Sequence, residues 1–135
     1  MDYIISSSCT QMASLGSHFS ETCEVISPEP DADIHEVISR WSDAGVCLPA
    51  LIVTPSTRED ICEAIKYATA KHLTLVPGAG GHGVAVPIDD RTLYLNLRRF
   101  NHVAVDVKNG LVTFGGGATN EEVLGACINA GYYTG

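Results

Sequence analysis

The sequence contains no long apolar run. Its longest, Val46 to Val53, is broken by Pro49 and is too short for a membrane-spanning helix. Positive charge is scarce as well: 8 Lys and Arg stand against 16 Asp and Glu, for a net charge of −8. That balance gives no basic footprint for nucleic acid or an anionic membrane, so neither is expected as a partner. The five cysteines are scattered without a CxxC pair, and no cysteines or histidines fall at ligand spacing, so no metal site is expected. An odd count leaves at least one thiol free or intermolecular. No Ser-His-Asp order and no paired carboxylates stand out as a catalytic set. His18, His35, His72 and His102 lack partners at useful spacing. The N-terminus has no positive segment followed by an apolar one, because Met1 to Ile5 gives way to Ser6-Ser7-Ser8. With no leader or membrane pattern, a cytoplasmic location is the default expectation.

What is present fits one domain. At 135 residues, 45% hydrophobic and 18% charged, the chain has enough apolar surface for one modest core. Residues 1–33 are Ser-rich, contain Pro28 and Pro30, and read as a poorly ordered tail with at most a marginal helix around Cys9 to His18. Residues 34–135 read as the folded part. Ile34, Val37, Ile38 and Trp41 share a helical face, with Asp33 as N-cap. Pro49 to Thr54 reads as a buried strand closed by Pro55. A second helix opens on a capping box, either Ser56 with Glu59 or Thr57 with Asp60, and its stripe is Ile61, Ala64, Ile65 and Ala68.

Leu73 to Val76 is the next strand, so strand, helix and strand form a parallel unit. Three further strands follow at Thr92 to Leu95, Val103 to Val107 and Leu111 to Phe114. The last two are joined by a tight hairpin with Asn109-Gly110 at its centre. A final helix is capped by Thr119 with Glu122, and Val123, Leu124, Cys127 and Ile128 form its buried face. No internal repeat is visible.

Between the second and third strands lies Val76-Pro77-Gly78-Ala79-Gly80-Gly81-His82-Gly83. Glycines this dense let backbone N–H groups approach an anion and form a concave nest. A histidine among them adds a nucleophile or proton carrier. Three readings compete. Gly78-x-Gly80-x-x-Gly83 matches the dinucleotide pattern GxGxxG, with Asp106 as the ribose acid, but that pattern must open a helix, and Val84 to Asp90 contains Pro87 and no helical stripe. A plain glycine-rich turn is the second reading, and an anion cradle is the third. Gly115-Gly116-Gly117 reads first as a strand-to-helix turn, and Asp89-Asp90 as a solvated one.

The order of these segments resembles the PCMH-type FAD-binding domain of the p-cresol methylhydroxylase, vanillyl-alcohol oxidase and berberine-bridge enzyme family. The resemblance covers about Trp41 to Gly135. It rests on "PALIVTPSTREDICEAIKYA", "GAGGHG" and "VTFGGGATNEEVLGACINAG". It implies an α/β (α+β-like) fold, the first subdomain of such a domain, with a small parallel βαβ unit, further strands and a C-terminal helix. It also implies FAD as cofactor. Gly78, Ala79, Gly80, Gly81 and Gly83 would contact the pyrophosphate, and His82 would bond covalently to the flavin 8α-methyl carbon. The family activity is oxidation of a small organic substrate by hydride transfer to flavin, with reoxidation often by oxygen. Two departures stand out. Gly78 occupies a position where the family often has arginine. Another glycine-rich segment and a substrate domain would follow Gly135, so a C-terminal region or a second polypeptide would complete the site. A non-catalytic flavin-binding or interaction fragment is the alternative, and Cys127, placed on a buried helix face, is not assigned as a flavin ligand.

Overall fold

The computed structural model describes residues 18–133 apart from 36, 39 and 43. Strands β1 (Glu24–Ile26), β2 (Leu51–Thr54), β3 (Thr74–Gly78) and β4 (Thr92–Asn96) form a sheet in the order β1-β2-β4-β3. β4 lies between β2 and β3 and is parallel to both, whereas β1 pairs antiparallel with β2. The βαβ unit is therefore present, but its two strands are not neighbours. The sequence reading placed no strand before Pro49. β1 is only three residues long and owes its place to the partner strand more than to any local pattern.

Both faces of the sheet are covered, which explains why β2 and β4 are buried almost throughout rather than alternately. Helix α1 (Arg58–Ala70) packs Ala64 and Ala68 against Leu51, Val53, Leu93 and Leu95. On the opposite face, Ile34 and Ile38 pack with Ile52, Val76, Ile88 and Tyr94. The α1 cap is the Thr57–Asp60 box. Of its predicted stripe, Ile65 faces solvent at 48% exposure. Asp60 does more than cap: its buried carboxylate accepts from the Ser20 N–H (2.8 Å), Ser20 Oγ (2.9 Å), and the N–H groups of Ser56 (3.0 Å) and Thr57 (2.8 Å). One side chain thus pins the segment before β1 to the start of α1.

The helix expected over residues 34–41 does not form among the described residues. A single turn does, in which the N–H groups of Val37 and Ile38 donate to the Ile34 carbonyl (3.0 and 2.7 Å). Beyond it the chain leaves helical geometry to dock elsewhere: the Trp41 N–H donates to the Gly81 carbonyl (2.9 Å). The marginal helix around Cys9 to His18 lies outside the described residues except for His18.

Strands β5 (Val103–Asp106) and β6 (Leu111–Phe114) form a separate antiparallel hairpin. Its loop is Val107 to Gly110, longer than the expected Asn-Gly turn. Only Gly110 takes a positive φ (+66°), and a two-residue type I′ turn would need two such residues. The Asp106 carboxylate instead accepts from the Asn109 N–H (3.1 Å) and Nδ2 (2.6 Å). Helix α2 (Asn120–Asn129) begins at the expected Thr119–Glu122 capping box. Of its predicted buried face only Cys127 is buried; Leu124 and Ile128 are 42% and 48% exposed. The hairpin and α2 cover too little of each other to shield them.

Candidate functional site

β3 runs straight into the glycine loop, and pairing to β4 continues to its last residue. Gly78 is in register with Asn96, and its carbonyl accepts from the Leu97 N–H (2.8 Å). The loop therefore projects from the C-terminal edge of the parallel strands, where ligands of open α/β sheets gather. Gly78 to Gly83 line one cleft of about 240 Å³ together with Pro77, Tyr94 and Arg40. Gly78 is buried, Ala79 and Gly81 are half-buried, and Gly80, His82 and Gly83 are exposed. All six residues singled out from the sequence thus share one concavity.

The glycines differ in what requires them. A Cβ at Gly78 would lie 1.9 Å from Tyr94 Oη, so Gly78 makes room for a buried phenol ring. Gly81 has φ +78° and turns the chain. Neither reason applies to Gly80 or Gly83. A Cβ at Gly80 would make only an ordinary 3.6 Å contact with His82 Cδ2, and at Gly83 it would meet nothing within 4 Å. Neither has a positive φ. Folding alone gives no reason for glycine at these two positions.

His82 sits at the rim, its ring nearly parallel to that of Trp41 (17° between planes, centroids 6.4 Å apart). At that separation the pair is near the long end of aromatic contact distances and buries neither ring, and Trp41 remains 80% exposed. Arg40 enters from the same segment. Its Nη1 is buried and has no hydrogen-bond partner among the described residues. Burial pushes the Tyr94 phenol above its ordinary value, and the Arg40 charge acts in the opposite direction.

Sequence reasoning missed Arg40 and Tyr94. Arg40 lies 38 positions before Gly78 and carries no local motif, so only the tertiary docking of Trp41 reveals it. Tyr94 is the one aromatic residue of its strand, but nothing in the sequence marks its place beneath Gly78. The dinucleotide reading fails, because β4 is the next element after the loop and no helix opens there. Asp106 is occupied in its own hairpin.

Gly115 and Gly117 form a turn packed on backbone. Cβ atoms there would lie 1.9 Å from the Phe100 carbonyl oxygen and 1.7 Å from that of Leu97. The remaining histidines, His18, His35, His72 and His102, do not line the glycine-loop cleft. Cys127 is a buried free thiol on α2. Among the described residues no cluster of side chains could hold a metal, and no helix is long and apolar enough to cross a membrane.

Comparison with known proteins follows the same lines. A family model described as an FAD binding domain matches residues 49–135. The chain is 33% identical over 103 residues to the FAD-linked oxidoreductase afoF of Emericella nidulans, an alignment spanning 75% of this chain and 21% of that protein. It is 24% identical over 102 residues to (R)-6-hydroxynicotine oxidase of Paenarthrobacter nicotinovorans, covering 75% and 22%. Among solved structures, 6-hydroxy-D-nicotine oxidase from Arthrobacter nicotinovorans superposes with TM-score 0.67 at 26% identity, covering 83% of this chain and 25% of that one. Berberine bridge enzyme from Eschscholzia californica superposes with TM-score 0.70 at 20% identity, covering 88% and 26%, and shows the shared fold. The chain spans about a fifth to a quarter of the length of these relatives.

Proposed function

We propose, since this chain belongs to the PCMH-type FAD-binding-domain family of FAD-linked oxidoreductases, that its Gly78 to Gly83 loop cradles the diphosphate of FAD and that His82 is the covalent tether of the flavin. The observation that carries this reading is the pair Gly80 and Gly83. Both are glycine without a packing or backbone reason, and both line the cleft. Bare backbone there lets N–H groups reach phosphoryl oxygens. Arg40 lines the same cleft, and its Nη1 has no partner among the described residues, which also suits an anionic guest. Exposed at the rim, the His82 imidazole is a nucleophile free to bond the 8α-methyl carbon. Forming that bond would remove one hydrogen from the methyl carbon and one from the imidazole nitrogen, with the two electrons leaving to an external acceptor such as dioxygen.

When bound, FAD supplies the hydride acceptor for oxidation of a small organic substrate. The residues of this chain hold and orient it. A second reading, a non-catalytic flavin-binding module whose site another polypeptide or a C-terminal region completes, draws support from the apolar surface of the hairpin and α2. Leu111 and Phe114 there are 62% and 52% exposed, and Leu124 and Ile128 of α2 are 42% and 48% exposed.

Acid denaturation of protein made with ample riboflavin tests the proposal. Yellow absorbance that stays with the polypeptide, and is lost from it in His82→Ala, is the expected result. Colourless denatured wild type would overturn the tether, and absence of flavin before denaturation would overturn the cradle. Substrate turnover by the chain alone would overturn the second reading.

A further inference from the structure

The glycine loop brings no lysine or arginine to its cleft. A diphosphate carries two negative charges, and a chain of net charge −8 gives it an unfavourable background field. Backbone N–H groups offer partial charges only. A cation cannot come from the base of the loop either, because any side chain at position 78 would run into Tyr94, 1.9 Å from its Oη. Of the described side chains lining the cleft, Arg40 alone is permanently protonated.

Arg40 is held there from both sides. Two residues before it, Ile38 is buried with Ile34 against Ile52, Val76 and Tyr94. Asn96 Nδ2 donates to the Val37 carbonyl (3.2 Å), tying this turn to the end of β4. Directly after it, the Trp41 N–H is bonded to Gly81 inside the loop itself. The guanidinium is thus delivered on a fixed backbone, yet its Nη1 is buried without an acceptor among the described residues. Buried, unsatisfied donors on a charged group are costly and rare, and each calls for an explanation. The neighbouring phenol is no counterion, since burial keeps Tyr94 protonated.

From this geometry we infer that Arg40 is the side-chain anchor for the diphosphate of the bound dinucleotide, donating from its guanidinium to phosphoryl oxygens that the loop N–H groups share. The inference rests on the reading of Gly78 to Gly83 as a diphosphate cradle. It adds a residue distant in sequence and makes one charged contact responsible for preferring a phosphorylated flavin.

Calorimetric titration of the whole chain in a His82→Ala background, where flavin binding stays reversible, with FAD and, separately, with riboflavin, which lacks the diphosphate, tests it. Arg40→Met should raise the Kd for FAD about 10- to 100-fold, as expected for a lost charge-assisted hydrogen bond, with riboflavin binding unchanged. The salt dependence of FAD binding should flatten in the same variant. Arg40→Lys keeps the charge but not the fork, and should fall between the two with its salt dependence intact. Unchanged FAD affinity in Arg40→Met would overturn the inference and leave the cradle standing. Equal weakening of FAD and riboflavin would also overturn it, by revealing a packing role. Wild type that binds no FAD would overturn the cradle and the anchor together.

Discussion

Alanine at Gly80 and Gly83 separates a ligand cradle from a turn. At both positions a methyl group has room and no left-handed backbone to fight. Replacing glycine where the fold tolerates a side chain removes unfolded-state entropy and stabilises by about 0.4–1 kcal/mol. For 135 residues, an unfolding entropy of about 2.1 cal/mol/K per residue gives roughly 0.28 kcal/mol/K. Each variant should therefore melt about 1–4 °C above wild type in the absence of ligand. FAD binding should move the other way. A methyl in the path of a phosphoryl oxygen displaces it from N–H donors, and losing one such charged hydrogen bond lowers affinity by about tenfold or more. The assays are thermal melting by circular dichroism and equilibrium titration with FAD. Alanine that leaves affinity unchanged at both positions would refute the cradle. Alanine that lowers the melting temperature would show a structural need for glycine that the geometry lacks. Gly78→Ala is less informative, since its clash with the buried Tyr94 ring removes stability and binding at once.

Other perturbations test the scaffold. Asp60→Ala strands the donors of Ser20, Ser56 and Thr57 and should cost about 3 kcal/mol in urea denaturation, with Asp60→Asn close behind. Burial alone would raise the Asp60 carboxyl, but hydrogen bonds from Ser20, Ser56 and Thr57 outweigh it and hold the group below its usual range. Arg98 and Thr119 likewise hold Glu122 at about 2. Unfolded carboxylates titrate near 4, so as pH falls the unfolded chain takes up protons first. Stability should be level above about pH 5 and decline between about pH 4 and 2; denaturation midpoints at pH 7, 4 and 3 that do not fall would contradict this. Gly117→Ala, whose Cβ would lie 1.7 Å from the Leu97 carbonyl oxygen, should cost about 3 kcal/mol by overpacking. At Gly116 the nearest atom is Leu97 Cδ1 at 3.9 Å, and alanine should change stability by less than about 0.5 kcal/mol.

Legibility in the sequence followed the range of the interaction. Both capping boxes are local: Thr119–Glu122 formed as read, and of the two candidates before α1 the Thr57–Asp60 box formed. Leu51 to Thr54, Thr92 to Asn96 and Leu111 to Phe114 are strands because their apolar residues serve two buried faces or a hairpin, and each run is self-announcing. What depends on distant partners was hidden. β4 inserts between β2 and β3 through pairing that no local pattern encodes. The periodicity of Ile34 to Trp41 is real, since Ile34 and Ile38 are buried together, but tertiary docking of Trp41 on Gly81 overrides helix continuation. Leu124 and Ile128 were read as buried from spacing alone, and spacing shows which residues share a face but not whether anything covers it. In the site, the glycines and His82 were legible as a cluster, whereas Arg40 and Tyr94 reach the same cleft from other parts of the chain.

A chain of 14.3 kDa is well suited to amide-resolved NMR, and titration with FAD gives the most direct test of the central claim. The account predicts that backbone amides of Ala79 to Gly83, together with the Arg40 side-chain signal, shift with FAD. Signals of the Gly115 to Gly117 turn should move much less. Shifts centred on that turn, or no shifts in the Gly78 to Gly83 loop at saturating FAD, would contradict it.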